Sequence, residues 1–146
     1  MRIYLDNCSL QRPLDSRTST RVVLEAEAML SVLTLLESGG IELISSEVLL
    51  FEIEKSPSSV RREYALQALS GARTFVRLND RVEKQAARFA ALGIKPLDVL
   101  HLASAEEARA DRFCTCDDRF LQKEKTVAGL TTRPVSPVEL IKELEP

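Results

Sequence analysis

No stretch of this 146-residue chain stays apolar long enough to span a bilayer. No charged-then-apolar leader opens it, and no low-complexity tract or internal repeat interrupts it. A soluble protein of the cytoplasm is the expectation. Histidine occurs once, as His101, so chemistry resting on several imidazoles is excluded. The segment Asn7-Cys8-Ser9-Leu10-Gln11, which follows the first apolar strand, has no glycine, so the phosphate-cradling turn of a dinucleotide-binding domain is missing. Cysteine is sparse and odd in number: Cys8, Cys114 and Cys116 match neither a disulfide framework nor a paired zinc knuckle, which points to a reducing compartment. A soft-metal site built from these thiols and His101 stays open as a minor reading, although the acids nearby favour harder cations.

An excess of charge of either sign is also lacking. The net charge of −2 argues against binding nucleic acid through bulk positive potential and leaves room only for a local basic path. Arginine outnumbers lysine by 14 to 6, and Arg12, Arg17 and Arg21 cluster early in the chain. The planar guanidinium donates two hydrogen bonds together and so suits phosphate, although any one of these groups is also an ordinary solvated charge.

What the chain does have is a core and a regular alternation of elements. Hydrophobic residues make up 45% of it, enough for one domain spanning residues 1–146. Arg2 to Leu5 reads as a strand, followed by a loop with Pro13 and a helix from Thr20 to Ser38, where Val22, Ala26, Met29, Leu30, Leu33 and Leu36 recur at helical spacing. Gly39-Gly40 stops it. Glu42 to Ser45 reads as a second strand, and Ser46 caps a helix carrying Glu52. A helix over Ser59 to Leu69 and a strand over Thr74 to Leu78 come next, then a helix from Asp80, with a capping box to Glu83, as far as Leu92. Pro96 starts a helix with Asp98 in its first turn. Arg112 to Thr115 is a fourth strand, a short helix follows Asp118, Thr132 to Val135 is a fifth strand, and Ser136 to Glu139 is a capping box for the last helix. Alternating strands and helices imply right-handed crossovers, hence a three-layer α/β/α sandwich with a mainly parallel five-stranded sheet.

Four acids then fall where sheet-end chemistry needs them. Asp6 follows the first strand and Asp117 the fourth, while Glu52 and Asp98 ride on helices. Open α/β sheets bind ligands at the carboxyl ends of their strands, and central first and fourth strands would set Asp6 against Asp117. Each acid has a plainer role as a turn, cap or exposed helix residue. Jointly they are harder to dismiss, because a close pair of carboxylates costs on the order of 4 kcal/mol at an effective dielectric of about 20. A divalent cation such as Mg²⁺ or Mn²⁺ relieves that repulsion and suits phosphodiester hydrolysis without a histidine base.

Leu5-Asp6-Asn7, the Ser46 to Glu52 spacing, the run from Pro96 through Asp98 and His101 to Ala105, and Thr115-Cys116-Asp117-Asp118-Arg119-Phe120 together resemble a PIN domain over nearly the whole chain. The resemblance implies a single PIN-like domain. It further implies an Mg²⁺- or Mn²⁺-dependent ribonuclease of the VapC toxin type, with RNA as substrate, an antitoxin as partner, and dimerisation. By the same likeness Asp6, Asp98 and Asp117 become direct or water-mediated metal ligands, Glu52 completes the site and orients the attacking water, and Asn7, Ser9 and Thr115 support them. Relatives often carry another acid two residues after the fourth; here Arg119 stands there, and the adjacent Asp118 is a weaker candidate. His101 reads as a packed core histidine or a substrate contact, and Tyr4 and Phe120 as core or as base-stacking groups.

Two other enzyme classes place aspartates at strand ends. A haloacid-dehalogenase-like phosphatase needs a second Asp two residues after the first, where Cys8 stands, and a receiver domain needs paired early acids and a late lysine. The rival of a different kind is a non-catalytic PIN-like module that binds protein or RNA. Self-association would use apolar groups beside the main stripe of the long helix, such as Val32 and Leu35.

Overall fold

The computed structural model describes residues 1–145. Five strands, β1 (Arg2–Leu5), β2 (Glu42–Ser46), β3 (Thr74–Val76), β4 (Arg112–Cys114) and β5 (Arg133–Val135), form one parallel sheet in the order β3-β2-β1-β4-β5. Eight helices cover it: α1 (Asn7–Gln11), α2 (Thr20–Glu37), α3 (Glu47–Glu54), α4 (Ser59–Leu69), α5 (Asp80–Ala90), α6 (Pro96–Glu107), α7 (Asp118–Lys125) and α8 (Pro137–Leu144). A 3-10 turn, Arg12–Leu14, extends α1. No helix among the described residues is long and apolar enough to cross a membrane.

The α/β sandwich expected from the alternation is present, with β1 at its centre. Ile3, Tyr4 and Leu5 are fully buried, because a strand covered on both faces has no solvent side to spend on polar residues. The register pairs Tyr4 with Ile44 on one side and with Phe113 on the other, and the Tyr4 ring stacks on that of Phe113 at 5.2 Å. The strand order reverses on either side of β1, so the crevice above β1 and β4 is the position where such sheets present side chains to a ligand.

Helix punctuation follows local chemistry. Ser19, Ser46, Ser58 and Ser136 each accept a backbone N–H at the start of a helix, and Ser136 with Glu139 forms the expected capping box. Gly39 sits at φ +81° just past α2, where Gly39 and Gly40 donate back to Leu36 and Leu35. Gly93, at φ +85°, makes the turn that folds α6 back on α5.

The structure corrects several sequence expectations. The segment after Asp6, read as a loop, is helix α1. The second strand runs on to Ser46, which therefore both ends β2 and caps α3. Strands three, four and five are shorter than expected, and the fifth helix ends at Ala90. Its cap is Asn79, whose side chain accepts from Val82 N, and not Asp80, which lies in the first turn. On α2, Leu30 is exposed rather than core, whereas Val32 is fully buried; the apolar groups left in solvent are Val23, Leu24 and Leu30.

Candidate active site

All four expected acids line one cavity of about 270 Å³ at the carboxyl ends of β1 and β4, together with Asn7, Cys8, Arg12, His101 and Cys116. Asp6 leaves the end of β1 as the N-cap of α1: its Oδ1 accepts the Ser9 N–H at 3.0 Å and the Cys8 thiol at 3.1 Å. Asp117 repeats the device after β4, its Oδ1 accepting the amides of Arg119 and Phe120 at 3.0 and 3.2 Å. A strand that ends in a capping carboxylate fixes the side chain against the backbone and still leaves the second oxygen for the cavity. Asp98 enters from the first turn of α6, behind Pro96, where the helix dipole favours an anion.

Glu52 reaches the cavity from α3, and its Oε1 stands 3.3 Å from His101 Nε2. That nitrogen is buried and has no hydrogen-bond partner of good geometry, so the contact is one of proximity. The other ring nitrogen is engaged: the Tyr4 hydroxyl bonds His101 Nδ1 and Ser46 Oγ, each at 2.7 Å. His101 and Tyr4 are therefore core residues, as the bland reading held, but they form a chain from the α3 cap to Glu52. Phe120 is likewise buried, edge-on to Phe113 at 5.4 Å.

Crowding appears in the ionisation of the acids. Burial, with repulsion from Asp117, Asp6 and Glu52, pushes the Asp98 carboxyl up to about 6, against the pull of His101. Burial raises Asp6 too, and its hydrogen bonds from Thr115, Cys8 and Ser9 offset part of that rise. The Cys8 thiol is held protonated by Cys116, by burial and by the Asp6 charge.

The supporting residues differ in what they do. Ser9 turns its hydroxyl to the Cys114 carbonyl at 3.2 Å, so only its amide serves Asp6. Thr115 Oγ1 accepts the Asp117 N–H at 3.1 Å, and Asn7 Oδ1 accepts from Gln11 at 2.8 Å. Asp118 points out of the cavity to Arg21 Nη1, at 2.7 Å. The three early arginines separate. Arg12 lines the cavity and spends its donors on buried Glu25 and on Asp15; Arg21 clamps the Cys116 carbonyl at 2.6 Å; Arg17 bonds only the Pro13 and Asp15 carbonyls of its own loop. Among the described residues the cysteines and His101 are not gathered into a cluster: Cys114 is buried beneath Ser9 and the His101 ring is turned to Tyr4.

Sequence reading missed the Glu25 and Glu124 carboxylates. Glu25 is buried under Arg12 and Arg21. Glu124, on α7, is completely buried with neither oxygen hydrogen-bonded; burial first, then the charges of Asp6, Asp98 and Asp117, push its pKa well above the ordinary carboxylate range. The signal was its spacing: Glu124 falls four residues after Phe120 and three after Leu121, on the buried face of α7.

The family model for the PIN domain matches residues 7–125, and the chain belongs to that family. Among solved structures it is similar to VapBC2 from Rickettsia felis bound to a promoter DNA fragment, at 12% identity, with a TM-score of 0.59 and coverage of 93% of this chain and 98% of that one. FitAB bound to an IR36 DNA fragment aligns at 19% identity and a TM-score of 0.60, covering 93% and 95%. FitAcB from Neisseria gonorrhoeae aligns at 17% identity and 0.58, covering 92% and 97%. These likenesses show the shared fold. No curated protein sequence matches the chain.

Proposed function

We propose that this protein is a divalent-metal-dependent endoribonuclease and the toxin half of a toxin–antitoxin pair acting in the cytoplasm. The observation that carries the reading is the convergence of Asp6, Glu52, Asp98 and Asp117, from four separate segments, on one cavity at the sheet switch point. An all-oxygen donor set fits Mg²⁺ or Mn²⁺, and Asp98, raised first by burial and further by the charges of Asp117, Asp6 and Glu52, would gain from a cation placed among them. Asp6, Asp98 and Asp117 would hold the cation, directly or through water. When bound, it supplies a Lewis acid for a phosphate oxygen and a more acidic water.

The chain's own groups supply the rest. Glu52 would orient the attacking water; its Oε1 stands beside His101, whose ring is fixed by the Tyr4 and Ser46 hydroxyls. Arg12 forms the basic wall against which a phosphate would lie, held in place by Glu25 and Asp15. Arg21 ties the loop bearing Asp117 to α2, which keeps the fourth acid in register with the first.

A second reading, a binding module without catalysis, draws on one observation. Among the described residues no three His, Cys, Asp or Glu side chains are already gathered closely enough to hold a metal. One experiment separates the two: purified protein is offered single-stranded and structured RNA with Mg²⁺ or Mn²⁺. Cleavage that chelation stops and that Asp6→Asn lowers by about 10²–10⁴-fold supports the nuclease, and binding without cleavage supports the module.

For partners, the antitoxin proposal draws on the VapBC2 and FitAB complexes, and an apolar groove of about 460 Å³ between α2 and α4, lined by Leu30, Leu33, Leu36, Tyr64 and Ala68, is a surface such a partner would cover. Homodimerisation is proposed through exposed Leu24 and its neighbours on α2; a monomer mass at all concentrations in light scattering would end that idea.

A further inference from the structure

Two thiols face each other across the wall of the acidic cavity, brought there by neighbouring parallel strands. Cys8 lies in the first turn after β1 and Cys116 in the connection after β4, and both line the cavity. Their contacts cross: the Cys8 sulfur lies 3.6 Å from Thr115 Oγ1, next to Cys116, while the Cys116 sulfur lies 3.7 Å from Ser9 Oγ, next to Cys8. Cys8 retains solvent-accessible surface, Cys116 is buried behind it, and Cys114 lies deeper, against the Ser9 hydroxyl. The Cys8 thiol also donates to Asp6 Oδ1 at 3.1 Å, so its chemical state is tied to an acid of the site.

We propose that Cys8 and Cys116 form a reversible disulfide that weakens cation binding by removing the thiol donor to Asp6. The consequence for the cation rests on the metal-nuclease reading above; the bridge itself does not. The oxidant is a low-molecular-weight disulfide such as oxidised glutathione. The Cys8 sulfur, as thiolate, attacks one sulfur of that disulfide, which forms a mixed disulfide and releases one glutathione thiol. Cys116 then loses its proton and attacks the Cys8 sulfur, which closes the bridge and releases the second glutathione. Two electrons pass from the protein thiols to glutathione disulfide, and reductant reverses both steps.

The bridge leaves Asp6 Oδ1 with the Ser9 amide but without the Cys8 proton, and it draws together the segments that orient Asp6 and Asp117. Loss of a partner that orients a metal ligand costs about 10–100-fold in affinity, and a change of that size is expected here. The outcome is read at equilibrium, once both thiol–disulfide exchanges have run to completion.

The test equilibrates the full chain in glutathione buffers of increasing oxidised fraction, then reads free thiols, intact mass and Mn²⁺ binding by calorimetry. The expected result is loss of two of the three thiols, a mass lower by two hydrogens, a peptide link whose fragmentation assigns it to Cys8 and Cys116, and Mn²⁺ affinity lowered at least about tenfold and restored by dithiothreitol. Cys116→Ser should stop at a glutathione adduct on Cys8. A parent protein that carries only that adduct at every ratio, or a bridge to Cys114, overturns the proposal. A bridge that leaves Mn²⁺ affinity unchanged overturns the gating role. Failure of the nuclease reading looks different: the reduced protein neither binds Mn²⁺ nor cleaves RNA, while the bridge still forms.

Discussion

The two ends of the sheet treat charge in opposite ways. At the amino end, every strand starts beside a charged group and the charges are matched: Arg2 N–H donates to Asp111, Arg2 and Arg73 flank Glu42, and Arg112 and Arg133 share Glu143. At the carboxyl end, Asp6, Glu52, Asp98 and Asp117 line one cavity, and the single arginine on its wall is already engaged by Glu25 and Asp15. Glu124 adds a buried acid with no partner within reach of the same field. A chain that pairs its charges so thoroughly at one end has the residue types to pair them at the other. On the proposed reading, that unmatched end is where a cation would bind, at a cost to the stability of the fold without it.

That contrast breaks most visibly at Glu124. Replacing it with Leu removes a buried polar group without a partner, so thermal melting should show a gain of about 1–3 kcal/mol. The sign with pH is fixed by the raised pKa. The proton on Glu124 favours the fold at acidic pH, that contribution fades as pH rises through the folded value, and Glu124→Leu should widen its advantage toward alkaline pH. An unchanged melting profile would mean that the carboxyl finds a partner in solution.

A smaller effect is expected at Asp98, whose carboxyl moves from 3.8 to about 6 on folding. Its proton contributes stability below pH 3.8, and that contribution is lost as pH rises through about 6. Asp98→Asn should therefore match the parent near pH 3 in melting experiments and exceed it at pH 7 by about 1 kcal/mol, once solvent screening is allowed for. With Mn²⁺ the order should narrow or invert, because the parent alone keeps the full acid set. The paired end supplies the least: Arg112→Gln should lose about 0.5–1 kcal/mol and leave the response to Mn²⁺ untouched. A shift in Mn²⁺ response there would erase the distinction between the two ends.

Much of this architecture could be read from the chain because it depends on local order. Strand-end acids, serine caps before apolar helices and a glycine pair after Ser38 each act within a few residues of their own position. The cavity could be anticipated because Asp6 and Asp117 end strands that the parallel topology makes neighbours. Helix α1 was hidden because five residues cannot display a period. Asn79 and Asp80 are both good caps, and only the backbone geometry chooses between them. The ties from Arg12 to Glu25 and from Arg21 to Cys116 join segments 13 and 95 residues apart and leave no trace in spacing. Glu124 does share the helical stripe of Phe120 and Leu121, but its charge argues against burial there.

The two strand-end aspartates are also the residues that start helices, and this double duty decides how the pocket tolerates change. Each commits one oxygen to backbone amides, so the direction of the remaining lone pairs is dictated by where a helix begins and hardly at all by side-chain freedom. Asparagine preserves that anchoring oxygen while deleting the negative charge, whereas alanine deletes both and unravels the first turn as well. At these two positions, then, an amide replacement reports on chemistry and a methyl replacement reports on architecture.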